Sequence, residues 1–375
     1  MDNEYYSDFI ASCEKVIEKN TRPNKFELVN KESHFICQKG SAHRLGDSLN
    51  RSLEKLDEEL NRFENLFSNS QCAVFWASDY NDVFSSLKKL FKTHKVSSVR
   101  LPNINASTIF RELGIKFFLR DEKIELREEG DIQFFAVDMM FSDTGSLLLL
   151  NQTNNTFSIL SNSKPNVFFA TIDRLASNSS WAEIIQQLLA YKNEGGRQDM
   201  ILFKGNTKCE NYLFIIDNQR TKILHRKEIR QAMTCLQCGR CNDVCPVYQT
   251  IGAEPYNNVF AGPVANIALP FLETIDSYSH VVYACTLCGR CEEVCPMSLP
   301  IRDMIISVRQ HFFNDDINSK KYRRLMAAMR KVATGRKSLK GPKFLKRHLL
   351  YKHLSNNLRK NRSLPDFFDD VFPKS

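Results

Sequence analysis

The sequence predicts an α/β domain, then a mainly α-helical cysteine-rich domain, then a basic C-terminal tail. Three observations carry this reading. Short apolar runs alternate with helix-period stretches up to about residue 220. Eight of the 12 cysteines fall between Cys235 and Cys295. From Lys320 to Lys374 there are 17 Lys and Arg against three acidic residues, while the rest of the chain holds 35 basic and 40 acidic ones. The expected boundaries are 1–224, 225–316 and 317–375. A chain of 375 residues is long enough for two domains, each with its own core.

Residues 42–67 read as one amphipathic helix, with Leu45, Leu49, Leu53, Leu56, Leu60, Phe63 and Phe67 recurring at steps of three and four. A face on a domain core suits them better than a coiled-coil seam, because the pattern is short. Strands are then expected at Ala73–Trp76, Val96–Leu101, Ile115–Leu119, Ile132–Val137, Ser146–Leu150, Val167–Ile172, Met200–Phe203 and Tyr212–Ile216. Ser180 and Glu183 form a capping-box pattern before a helix carrying Ile184, Ile185, Leu188 and Leu189. The pairs Phe117-Phe118, Phe134-Phe135 and Phe168-Phe169 read as core filling. Helices are expected at Ile223–Met233, Pro263–Ile275 and Ile301–Phe313, the last begun by Pro300.

Composition excludes several classes. At 42% apolar and 25% charged the chain is not disordered as a whole. Its longest purely aliphatic run, Leu147–Leu150, is far short of the ~20 residues of a spanning helix. The start, Met1-Asp2-Asn3-Glu4, is acidic and shows no secretory signal, so a cytoplasmic, reducing location is expected. Clustered cysteines there are metal ligands or redox groups before they are disulfides. The net charge of +9 resides in the tail, where Leu345, Leu349, Leu350 and Leu354 add an apolar side. That pattern suits docking on a partner, ahead of a lipid surface, and no nucleic acid is expected.

The two cysteine blocks carry the chemistry. They read Cys235-x2-Cys238-x2-Cys241-x3-Cys245-Pro246 and Cys285-x2-Cys288-x2-Cys291-x3-Cys295-Pro296. In two-cluster proteins of this pattern three closely spaced cysteines hold one iron–sulfur cubane and the fourth ligates the other cluster. Two [4Fe–4S] clusters are therefore expected, one on Cys235, Cys238, Cys241 and Cys295, the other on Cys285, Cys288, Cys291 and Cys245. Structural zinc prefers two C-x2-C pairs around one tetrahedral ion, which complete four-cysteine blocks do not suit. Arg240 and Arg290 sit inside the ligand loops, either as solvated side chains or as cations favouring a reduced cluster.

The run Cys235 to Tyr248, with Ile251-Gly252, Tyr256, Gly262-Pro263 and Pro270, resembles the ferredoxin part of the lactate-utilization protein B family. Upstream, Asp143-Thr144-Gly145-Ser146 resembles a signature of the lactate-utilization (LUD) domain, and Gly205-Asn206-Thr207-Lys208 the start of that domain's glycine loop. The family's acidic stretch and His-Gly-Pro segment do not follow here. The resemblance implies an α/β LUD domain related in fold to sugar-phosphate isomerases and CoA transferases, ahead of a helical dicluster ferredoxin domain. It implies an electron-transfer subunit of a lactate-oxidising complex, working with an iron–sulfur, cysteine-rich subunit and a second LUD subunit. A quinone-linked acceptor would place it at the inner face of the membrane. The alternatives are a metabolite-binding LUD protein whose clusters act as redox sensor or scaffold, and an isomerase- or CoA-transferase-like enzyme.

On the residues alone, Asp143 to Ser146 is either a structural turn or a ligand loop, and Gly205 to Lys208 either a hairpin loop or an anion site. Cys209 is a buried inert thiol or a reactive one. His225 and His280 have no ligand-type spacing with another His or carboxylate, and catalytic residues are not assigned.

Overall fold

The computed structural model describes residues 39–70, 72–90, 133–150, 160, 165–190, 200–205, 209–253, 256, 260–273 and 275–314. The expected strands at Val96–Leu101 and Ile115–Leu119, the Phe117-Phe118 pair and the tail from residue 317 lie outside these residues. Described residues up to His311 belong to one compact unit, and those from Phe312 to a second.

The α/β region is built on two four-stranded sheets. One is wholly parallel, in the order β1 (Cys72–Ala77), β8 (Asn211–Ile216), β5 (Asn166–Thr171), β2 (Gln133–Ala136). The other is mixed, in the order β6 (Leu175–Ala176), β3 (Met139–Phe141), β4 (Ser146–Leu150), β7 (Met200–Phe203).

The parallel sheet is buried on both faces, which is why its strands read as continuous apolar runs. Along β5 and β8 alternate residues separate into two cores. Phe168, Ala170, Leu213 and Ile215 join one with Leu60, Phe63 and Phe67. Val167, Phe169, Phe214 and Ile216 join the other with Val83 and Leu87. Across the second face the rings of Phe134, Phe169, Phe214 and Phe75 form a ladder, with centroids 5.8, 5.8 and 5.2 Å apart. Full burial of one such side chain contributes about 1.5–3 kcal/mol. The described Phe pairs are thus core residues.

Helices α1 (Lys39–Glu54) and α2 (Leu56–Ser68) replace the single expected helix, with the break at Lys55. Both lie by β6, but α1 also meets the segment leading into the first cysteine block and α2 meets β1, so the break lets each half keep its own second neighbour. Helix α3 (Tyr80–Leu90) covers the second face of the parallel sheet. A short 3₁₀ turn, Ser179–Trp181, leads into α4 (Ala182–Ala190). Its cap is Asn178, whose side-chain oxygen accepts from the Ser180 N–H at 2.8 Å, in place of the expected Ser180.

After β8 the backbone at Asn218 (φ 39°) and Gln219 (φ 68°) turns into α5 (Arg220–Leu224). A 3₁₀ turn, Arg230–Thr234, then reaches the first block, so the expected helix Ile223–Met233 is two shorter pieces. The cysteine region comprises α6 (Arg240–Asp243), α7 (Pro246–Ile251), α8 (Ala265–Leu272), α9 (Ile275–Ala284), α10 (Arg290–Glu293) and α11 (Ile301–Asn314). Every residue of α8 is buried, Pro270 included. Among the described residues no helix is long and apolar enough to cross a membrane.

Candidate metal centre

The two blocks repeat in backbone as well as in sequence. Gln237 and Leu287 both stand at φ 58°, and Gly239 and Gly289 at φ 85° and 81°. A left-handed residue other than glycine is held at a cost of roughly 1–2 kcal/mol, so the surroundings over-determine these turns. Their effect is to aim backbone N–H groups at sulfur: Gln237 N reaches Cys235 Sγ at 3.4 Å and Leu287 N reaches Cys285 Sγ at 3.3 Å. No atom lies within 4 Å of a methyl built on Gly239, so conformation and not crowding asks for glycine there. The one-turn helices α6 and α10 follow and pack on each other. The fourth cysteine then leaves its block. Cys245 caps α7, accepting from Tyr248 N at 3.5 Å, and Pro246 takes the first helical position.

Eight thiols meet in two sets that cross the blocks. One pocket is lined by Cys245 of the first block together with Cys285, Cys288 and Cys291 of the second. In the other set burial pushes the Cys235 thiol up to about 12, with Cys238 and Cys295 adding to it. Burial likewise raises Cys241, helped by Cys235, Cys238, Cys295 and, across the sets, Cys291. Cys291 is pushed up to about 12 by burial, then by Cys285, Glu292, Cys245 and Cys288. Cys295 is raised by burial and by Cys238, against the N–H groups of Leu299, Met297 and Ser298. The bare thiols of Cys235 and Cys291, so placed, keep their protons at neutral pH. A polycationic centre would take them as thiolates.

The donor chemistry, eight thiols in sets of four, suits iron–sulfur centres. Asn266, 4% exposed, also lines the Cys245 pocket. Of the eight cysteines only Cys288 is exposed.

Two arginines from outside the blocks reach them. Arg174, just after β5, donates from Nη1 to the Cys235 carbonyl at 3.0 Å. Arg309 on α11 donates from Nη2 to the Cys285 carbonyl at 2.6 Å and to Val282 O at 2.8 Å. Arg174 also lies 3.7 Å from Asp173, which pairs more closely with Arg220 at 2.7 Å. All three side chains are buried. Burial alone would push Asp173 up. Arg220 and Arg174 outweigh it and hold the carboxyl below its ordinary value. Sequence reasoning looked to Arg240 and Arg290 instead, and Arg290 is exposed. Nothing local to Arg174 or Arg309 marks them.

The LUD-type loops are committed to structure. Asp143-Thr144-Gly145 is the β3–β4 turn, and Asp143 Oδ2 accepts from Ser179 N and Ser179 Oγ, both at 2.9 Å. Thr144 Oγ1 and Ser146 Oγ lie 2.7 Å apart, and the Ser142 hydroxyl bonds Glu59. Gly145 stands at φ +61°, and a methyl there would come within 2.6 Å of Leu66 Cβ. Gly205 stands against Ser70 O, and Lys208 lies outside the described residues. Cys209 accepts from Asn166 Nδ2 at 3.2 Å, and burial, then Glu210, pushes its thiol up. This suits the inert reading. His225 bonds its own helix through Thr221 O at 2.7 Å, and the side chain of His280 is not described.

An α/β region with one parallel and one mixed sheet thus precedes a helical region whose cysteines lie in two crossed sets of four. The sequence model of the 4Fe-4S dicluster domain family matches residues 231–299, so that helical region carries a 4Fe-4S dicluster domain. The chain is also similar to Lactate utilization protein B of Bacillus thuringiensis (strain Al Hakam) and of Bacillus cereus (strain AH187). In each case it is 27% identical over 201 residues, 52% of this chain and 42% of the relative. The match therefore spans less than half of those relatives' length. A crystal structure of a DUF162 family protein from Deinococcus radiodurans aligns over 43% of this chain and 98% of its own, at 13% identity and TM-score 0.32.

Proposed function

We propose that this chain is an iron–sulfur electron-transfer subunit of a lactate-oxidising complex and holds two [4Fe–4S] clusters. Cys235, Cys238, Cys241 and Cys295 hold one, and Cys285, Cys288, Cys291 and Cys245 the other. The observation that carries the reading is the crossing of the sets, with Cys245 lining the pocket of the second block. When bound, such clusters accept and release single electrons.

The chain's own residues prepare that chemistry. N–H groups of Gln237, Leu287 and Tyr248 donate to sulfur and stabilise thiolate charge. Buried Leu236, next to Cys235 in the chain, and Ile305, lining the Cys245 pocket, keep water from the sets. Cys288 stays exposed, which supports this set as the point of exchange with a partner. The lactate assignment draws on the name of the matched relatives. Lactate would become pyruvate on partner subunits, an iron–sulfur cysteine-rich one and a second LUD one, with electrons passed to a quinone-linked acceptor at the membrane's inner face.

Anaerobic purification from the native host tests this. The expected result is about eight irons per chain, two EPR signals on reduction, and reduction by lactate only with the co-purified partners. Clusters that lactate cannot reduce in the native complex would remove the lactate role.

A further inference from the structure

The cysteine blocks repeat, and in each the carbonyl of the first cysteine accepts from an arginine that the repeat does not contain. Arg174 serves Cys235 from the end of β5, and Arg309 serves Cys285 from α11. The two arginines share no sequence context, so their equivalent placement is not inherited from the duplicated motif.

We propose that Arg174 and Arg309 are positioning residues that raise the reduction potentials of the groups held by the two cysteine sets, Arg174 the more strongly. The proposal rests on the two-cluster reading above. A centre carrying four thiolates becomes more negative when it accepts an electron, and a fixed cation nearby favours that state. The effect grows as solvent is excluded. The Arg174 side chain is 8% exposed. Asp173 does not cancel it, because Asp173 is shared with Arg220, and the buried trio carries one excess positive charge. That excess lies beside Cys235, where an anionic centre would balance it. Arg309 is half-buried, lies over the Tyr283 ring at 5.5 Å and is better screened. The α/β region thereby reaches the first set through one buried side chain.

The test uses the full chain purified anaerobically as wild type, Arg174→Gln, Arg174→Lys and Arg309→Gln, with iron analysis and EPR-monitored redox titration. Glutamine keeps a donor for the carbonyl and removes the charge, while lysine keeps the charge. Arg174→Gln is expected to lower one signal's potential by about 59 mV, a tenfold fall in its reduced-to-oxidised ratio for a one-electron couple. The other signal stays in place. Arg309→Gln moves the other signal by less, and Arg174→Lys stays near wild type. Full iron with unmoved potentials in both glutamine variants overturns the proposal, as do equal shifts in Arg174→Gln and Arg174→Lys. Should Arg174→Gln lose its iron, Arg309→Gln decides alone, and an unmoved second signal is then fatal. A wild-type content near four irons defeats the two-cluster reading itself and this proposal with it.

Discussion

Gly46 on α1 stands against Met297, so that a methyl built on Gly46 would lie 2.9 Å from the Met297 carbonyl oxygen. The partner atom is backbone, two residues past Cys295, and cannot swing aside. Gly46→Val is expected to cost about 1–3 kcal/mol through this overlap. Thermal unfolding of the iron-loaded protein should show a lower Tm than for Gly40→Val, a position with nothing within 4 Å. Equal melting of the two would show that the contact is slack.

The crossed sets make a pairing prediction. Cys295→Ala is expected to abolish the same EPR signal as Cys238→Ala, although the two residues belong to different blocks. Cys245→Ala should abolish the signal lost in Cys288→Ala. Were signals instead lost block by block, the crossing would be wrong.

The buried Asp173 predicts acid sensitivity. Its carboxyl is held below the ordinary value, so its contribution is present above the unfolded carboxylate range of about pH 4 and is lost as pH falls through the lower folded value. Asp173→Asn leaves Arg174 and Arg220 buried without their anion, at an expected cost of about 3–5 kcal/mol. Chemical denaturation at pH 7 and well below pH 4, under the folded value, should show a larger deficit for the variant at pH 7.

The β3–β4 turn separates structure from ligand binding. Gly145→Ala is expected to destabilise by several kcal/mol, since the left-handed backbone and the Leu66 overlap act together. Asp143→Ala removes the acceptor of both Ser179 hydrogen bonds that hold the turn's start, at a cost of about 1–3 kcal/mol. Urea midpoints measure both. If Asp143→Ala melts like wild type, these bonds are not what Asp143 is kept for.

Much of this was legible in the chain. Cysteine spacing is local, and cluster chemistry fixes it, so Cys235 to Cys295 announced themselves. Strands such as Ser146–Leu150 and Asn166–Thr171 are buried on both faces and read as unbroken apolar runs. Met139–Phe141 and Leu175–Ala176 are too short to show a period. The break at Lys55 follows from what each half meets in space, which an unbroken helical repeat does not express. Arg174 and Cys235 are 61 positions apart, and a single long-range hydrogen bond leaves no trace in either neighbourhood. The LUD-type turn was readable as a turn, and its commitment to Ser179 and Leu66 depends on residues far along the chain.

The strand order has a consequence for the way the chain comes off the ribosome. β8 lies between β1 and β5, and it is the neighbour β1 pairs with. Until residues 211–216 emerge, β1 has its apolar edge open to other chains while more than a hundred residues are made. The cysteine blocks come immediately afterwards. The sheet can therefore close only shortly before the first cysteine block is made.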